Sequence, residues 1–474
     1  MPNLLPKAAA FSPGLRAASG WLLLGCMVLA PFAYGTTSWW AEKLLAEILF
    51  AAFGFWALSQ VSGKFVLRFN LVDFSLLYLL LTGWWMAINS HSLYDANYRT
   101  FFYLTEIAPA APGSIDQLAS LCGMERITGL FCAFLIARSL GSEKIWRLRI
   151  LVTAALTGFF TAICGIALKI DSLHLMPLVW PPSLLWETNF AFFHYHANAG
   201  SYLNLTWPLA MGLGVRALLT RETFPGKWFW LGSACLIFIG IQVNFSKAAI
   251  AIALLLLALF AFEWICQTHA RFQKRVLAAL AGFIFISLMA TTILANFSHY
   301  RNAWRKWEEL PRDAQPSIVY RLEIQRISLH MAGDAGWWGF GPESFEAAFA
   351  HYQDIAGKPP GKFDEAHEDY LQTIIEWGAG GTIAWTYLTL GGLWKIWRRL
   401  PTERPQAAHP AFWLWHSLFL ALLGVFIHAG FDFPLEIDSI RLYVLVFLAL
   451  GWSGEPVTCY PSPASRPSPS PADA

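Results

Sequence analysis

The groups best equipped for chemistry are gathered in one stretch, Phe363-Asp364-Glu365-Ala366-His367-Glu368-Asp369-Tyr370-Leu371-Gln372, which runs straight into the apolar Thr373-Ile374-Ile375. An imidazole is the side chain best suited to general-base work near neutrality. A neighbouring carboxylate, here Glu365, Glu368 or Asp369, can orient the ring and stabilise its protonated form. The plainer reading is that an interfacial His367 only hydrogen-bonds a backbone carbonyl. Upstream lie Arg321 and Arg326, preceded by Arg301, Arg305 and Lys306. A guanidinium offers a planar fork matched to phosphate oxygens, although the same residues could form a solvated face pairing with Glu323 or with lipid head groups. Lys247 interrupts Val243-Asn244-Phe245-Ser246 and an Ala/Ile/Leu run, so it is either a functional cation at a membrane mouth or a snorkelling one. His428 and Asp432 are spaced to share a helix face, with structural and functional readings equally open. With Tyr370, His196 and Asn198 they are candidates to line the same cavity. His194 and His196 make no metal set alone, and no His-Glu-x-x-His or similar spacing is present, so no metal site is expected.

These groups need a scaffold, and the composition says which kind. Apolar residues make up 56% of the chain and charged ones only 14%, outside the range of soluble domains and typical of a polytopic membrane protein. Apolar runs near membrane-spanning length predict about twelve helices: 17-36, 43-62, 72-90, 122-140, 149-169, 198-219, 227-245, 247-266, 275-295, 372-394, 411-430 and 437-455. The expected fold is therefore all-α. The first run resembles a signal peptide but is long enough to span, and reads as an uncleaved anchor. Lys and Arg concentrate in alternate loops, for example Lys64 and Arg68, Arg216 to Lys227, and Lys395 to Arg404, which predicts cytoplasmic N- and C-termini. The basic residues are spread over one membrane face rather than gathered in a stripe, so nucleic-acid binding is not expected. The seven Cys lie in or beside apolar runs with no Cys-x-x-Cys, and read as small core residues.

Four segments stand apart from the spans. Residues 91-121 are expected to be irregular or interfacial, and 170-197, rich in Pro and Trp, fits an interfacial belt or a lid. In the long loop 296-371, Trp304, Trp307 and Leu310 alternate with cations as in an amphipathic surface helix. A second helix is predicted over Ile318 to Met331, then a turn at Gly339-Phe340-Gly341-Pro342 and a short amphipathic piece from Ser344 to Tyr352. The loop should be a small folded cap. The tail after Gly454, rich in Pro and Ser, has no core-forming residues and is expected to be disordered. The domain reading is a helical bundle over 1-295, the loop over 296-371, further spans over 372-455 and the tail over 456-474.

From about residue 190 to 395 the chain resembles the O-antigen ligase family of bacterial membrane glycosyltransferases, which includes O-antigen polymerases and protein O-oligosaccharyltransferases. The resemblance rests on Arg321 followed by Gly339-Phe-Gly-Pro-Glu-Ser-Phe345, on Ala366-His-Glu-Asp-Tyr-Leu-Gln372 continuing into Glu376-Trp-Gly-Ala-Gly-Gly381, and on His196-Ala-Asn198 with Tyr202, Leu203 and Pro208. It implies a multi-pass protein of the bacterial inner membrane that transfers a glycan from undecaprenyl pyrophosphate to an acceptor hydroxyl on a glycan, a lipid A core or a protein at the periplasmic face. No cofactor is implied. His367 matches the family's base and Arg321 its loop arginine. A further family arginine follows Ser at the start of a span, where this chain has Ser246-Lys247, which keeps the charge but loses the fork. Glu368 stands at the family's usual Asn and Glu365 at the His of some members. The residues agree chemically with direct displacement: cations at Arg321 and Lys247, with Arg326 nearby, would screen the leaving pyrophosphate, and His367 would deprotonate the acceptor with inversion at the anomeric carbon. Two other classes compete, a transporter of lipid-linked glycan, which would gather ionisable groups near mid-bilayer, and a non-catalytic assembly or sensor protein.

Overall fold

The structure is a computed structural model and describes residues 5–61, 70–170, 189–220, 226–267, 310–355, 363–400 and 409–454, with Leu175, Val179, Gly282 and Met289 as single positions. Helices dominate: α1 (Leu5–Phe32), α2 (Trp39–Val61), α3 (Leu71–Ile88), α4 (Gln117–Gly141), α5 (Lys144–Ile170), α6 (His196–Leu219), α7 (Gly226–Val243), α8 (Lys247–Gln267), α9 (Leu310–Asp334), α10 (Phe345–Ile355), α11 (Asp369–Arg398), α12 (Pro410–Ala429) and α13 (Asp438–Trp452). Eight of these, α1 to α5, α7, α8 and α12, are long and apolar enough to cross a membrane. The chain is an all-α polytopic membrane protein. Sequence reading also expects spans at α6 and α11, which fall short of that apolarity, and at α13, which at 15 residues falls short of that length. For α6 the reason is visible: it packs against α5, α7 and α12, so Asn198, Ser201, Asn204 and Thr206 are buried in protein and need not suit lipid. Apart from Gly282 and Met289, the expected span 275-295 lies outside the described residues, as do the tryptophans and cations at 301-307 and the Pro/Ser tail.

Residues 91-121, expected to be irregular or interfacial, contain a hairpin of β1 (Ser92–Asp95) and β2 (Thr100–Tyr103), paired antiparallel. The cause is local turn chemistry. The Asp95 carboxylate accepts from the amides of Asn97 and Tyr98, and Arg99 turns the chain at φ 52°. Arg99 then donates to Gln353 on α10, tying the hairpin to the cap.

The cap has an apolar core of its own. Ile324, Ile327 and Met331 of α9, Phe345 and Phe349 of α10, and Ala366 before α11 pack with Leu371 and Ile375 of α11. Below this core the cap is spliced into α11. At Gly378 (φ 61°, ψ −169°) the helix breaks in a conformation open to glycine alone. The backbone groups freed by the break are satisfied by the turn after α9. Phe340 and Gly341 donate to the carbonyls of Ile375 and Glu376, while Ala379 and Gly380 donate to Gly336 and Trp337. Gly339 (φ 77°) faces the break so closely that a Cβ there would lie 2.3 Å from the Glu376 carbonyl oxygen. The Gly339-Phe-Gly-Pro and Glu376-Trp-Gly-Ala-Gly-Gly blocks are thus the two halves of one joint.

Glu343, just after the turn, anchors the joint to the bundle. Its carboxylate lies 2.7 Å from Arg126 of α4 and 2.8 Å from Arg441 of α13, and its amide donates to Glu376. Arg126 also meets Glu42 of α2 at 3.1 Å, and Arg441 pairs with Glu436 and approaches Asp438 at 3.6 Å. Burial raises Glu343's proton affinity, but the two guanidiniums overcome this and hold its carboxyl down at about 2.

Candidate active site

α11 begins with a cap made by Glu368, whose carboxylate accepts from the amides of Tyr370 (3.3 Å) and Leu371 (2.7 Å). His367 sits just before this cap with φ 54°, a left-handed conformation uncommon outside glycine. That backbone turn and the ring's packing fix its direction. The imidazole meets the Phe433 ring edge-on, with centroids 5.1 Å apart, and its Nδ1 lies 3.3 Å from Oδ1 of Asp432. Its side chain remains 25% exposed, so a substrate can reach it, whereas Asp432 is only 5% exposed.

Asp432 gathers the site. Sequence spacing places it on one helix face with His428, but α12 ends at Ala429 and Asp432 lies in the turn beyond, its amide bonded to the His428 carbonyl at 3.1 Å. The chain leaves α12 at Gly430 and opens a fresh short helical turn at Pro434, a proline suiting the first position of such a turn. From there Oδ1 faces His367, while Oδ2 accepts from the Tyr195 hydroxyl at 3.2 Å and lies 4.0 Å from an Arg321 nitrogen. Arg321 in turn donates to the Tyr195 hydroxyl at 2.9 Å. Burial pushes Asp432 up, but the His367 hydrogen bond and the Arg321 charge outweigh it and hold the carboxyl below its usual range. Burial, with the Asp432 charge beside it, raises Tyr195 to about 12, so its hydroxyl stays protonated.

The other candidates divide. Tyr195 precedes α6, stacks on Phe433 with rings 2° from parallel, and touches the His196 ring. The His196 carbonyl accepts from Asn244 at 2.6 Å, three residues before Lys247 opens α8 as an exposed side chain. Lys247 therefore lies at the same end of the bundle as His196. Asn198 is buried with Oδ1 unpartnered among the described residues, and His428 is buried with both ring nitrogens likewise unpartnered among them. Tyr370, partly exposed, donates to the Phe426 carbonyl. Arg326 is exposed and, five residues after Arg321, lies roughly 140° around α9 from it.

Glu365 and Asp369 do not join His367. Glu365 is pushed well above the carboxylate range by burial and then by the Glu436 charge, and its segment is fastened by the Ala366 amide donating to Gln372. Asp369 is buried and accepts from the Leu435 amide at 2.9 Å. The carboxylate facing the imidazole is thus Asp432 from another helix end, since one flanking acid caps α11 and two turn toward the Glu436 side. Tyr195 and Phe433 escaped sequence reading as site residues. The available signals were their adjacency to His196 and to Asp432.

Beside this site, a groove of about 360 Å³ is lined by Ile127, Phe131, Tyr370, Trp377, Trp385 and Leu445. No curated protein matches the chain. Residues 232–386, which carry Lys247, Arg321, His367 and both halves of the glycine joint, match the family model for O-antigen ligase.

Proposed function

We propose that the chain is a glycosyltransferase that moves a glycan from undecaprenyl pyrophosphate to an acceptor hydroxyl at the periplasmic face of the inner membrane, without a metal and with inversion. The observation that carries this reading is the meeting of His367 and Arg321 on one buried carboxylate, Asp432. With Nδ1–H donated to Asp432, Nε2 is the basic atom turned to substrate. It takes the acceptor hydroxyl proton as the acceptor oxygen bonds to the anomeric carbon. The bond from that carbon to the pyrophosphate oxygen breaks, and its electron pair leaves on the lipid pyrophosphate. Arg321 and Lys247 counter that charge. The proton on His367 then passes to solvent, resetting the base. The apolar groove beside Tyr370 supports a substrate carried on a lipid chain. Ligase, polymerase and protein-transferase reactions share this chemistry and differ in the acceptor.

The test is transfer from undecaprenyl pyrophosphate donor by purified protein under chelation, comparing wild type with His367→Ala and Arg321→Ala, with the product identified by mass and its anomeric configuration determined by NMR. Chelator-resistant transfer, inverted in the product and lost in both folded variants, is expected. Wild-type turnover in both variants, or a retained configuration, would overturn the mechanism.

A further inference from the structure

The second feature of the bundle lies at its other end. α11 is broken at Gly378, and the 20 residues from Ala379 to Arg398 rise about 30 Å as a helix, so its C-terminal turn lies at the end of the bundle away from His367. There a cleft of about 670 Å³ opens between the ends of α3, α4, α11 and α13, lined by Arg138, Lys395, Arg398 and Arg399 with Tyr387 and Trp452. Four cations face one cleft. Asp73 is taken by Arg138. Arg399 is turned to the carbonyls of Gly451 and Ser453 and lies over the Trp415 ring, so it shapes the wall. Lys395 lies 5.4 Å from the Trp452 ring centroid, and both Lys395 and Arg398 are exposed with no carboxylate partner among the described residues. Cations in the last turn of α11 also suit its dipole. That effect does not require a cleft, nor an arginine brought from α4.

The level of the cleft identifies the ligand. Trp394 and Trp397 project from the same turns of α11, 59% and 50% exposed, as aromatic side chains do at the boundary between acyl chains and head groups. We propose that this cleft holds the phosphate head group of an anionic membrane phospholipid, with Lys395 and Arg398 on the phosphate oxygens and the acyl chains running back along α11. Basic pockets between helix ends at this depth favour such lipids through charge attraction added to apolar burial. The site is independent of the His367 chemistry.

The experiment uses the full chain in detergent and counts bound lipid by native mass spectrometry, offering phosphatidylglycerol or phosphatidylcholine. Wild type should prefer phosphatidylglycerol by roughly tenfold or more, and a Lys395→Gln/Arg398→Gln double variant of unchanged helicity and elution should lose that preference. Lys227→Gln, which removes a cation at the start of α7 outside the cleft, should keep it. Equal retention by the double variant would overturn the proposal, as would an equal loss in Lys227→Gln, which would assign the effect to the general charge of that membrane surface. Displacement of the lipid by equimolar inorganic phosphate would also overturn it, making this a site for a soluble anion.

Discussion

At the scale of single residues, His367 and Arg321 are joined through a third residue, Asp432, and a fourth, Tyr195. Under the proposed mechanism His367→Ala removes the proton acceptor, and turnover should fall by roughly 10²- to 10⁴-fold in the glycan-transfer assay while the donor still binds. Asp432→Asn keeps the side-chain volume but removes the charge that orients the ring and steadies its protonated form. Its expected signature is a fall in kcat larger than any rise in donor KM, and unchanged kcat would exclude that role for Asp432. The sequence points to the imidazole and the arginine through residue type and local company. It does not identify the carboxylate that serves the imidazole, because Glu365, Glu368 and Asp369 are all nearer in the chain. Their backbone positions decide otherwise, one capping α11 and two facing Leu435 and Glu436. Tyr195 is harder still to read, since its bond to Arg321 crosses 126 residues of chain.

At the scale of elements, what holds His367 in place is the joint between the cap and α11. Periodicity predicts helices on both sides of the Gly339 turn, and the described helices α9 and α10 bracket it. The splice itself has no periodic signature, because it consists of backbone hydrogen bonds between two glycine-rich stretches. The glycines are the only visible trace. Gly378→Ala forces a side chain into a glycine-only conformation, with its Cβ 2.4 Å from the Gly339 nitrogen. It should cost about 1 to 3 kcal/mol, seen as a lower midpoint of thermal unfolding in detergent. Gly232→Ala is the contrasting case. That glycine lies inside α7 with nothing within 4 Å of its missing Cβ, so the change should be neutral or stabilising by up to about 1 kcal/mol. Equal effects at the two positions would mean that the break in α11 bears no strain.

At the scale of the whole molecule, the joint is tied to α2, α4 and α13 through buried charge, which makes the fold sensitive to pH in two opposite senses. Glu343 is held at about 2, below its ordinary 4.5, so its contribution is complete above pH 4.5 and is lost as pH falls toward 2. Glu436 is raised by burial to about 7, with Arg441 opposing and the nearby Glu343 charge adding, so its contribution is complete below pH 4.5 and is lost as pH rises through 7. Removing one partner of a buried ion pair leaves the other charge unanswered. Glu343→Ala leaves Arg126 with Glu42 and Arg441 with Glu436 and Asp438 but removes the carboxylate that bridges the two, and should destabilise by at most about 3 to 5 kcal/mol, a large share of the stability of any domain. Glu436→Gln should behave differently, since it retains an acceptor for Arg441 and removes the group that must ionise inside the protein. Between pH 5 and pH 8 the thermal midpoint of wild type should fall, and in Glu436→Gln that fall should shrink. A full-sized fall in the variant would locate the alkaline sensitivity in other buried acids of the same region, Glu365 foremost.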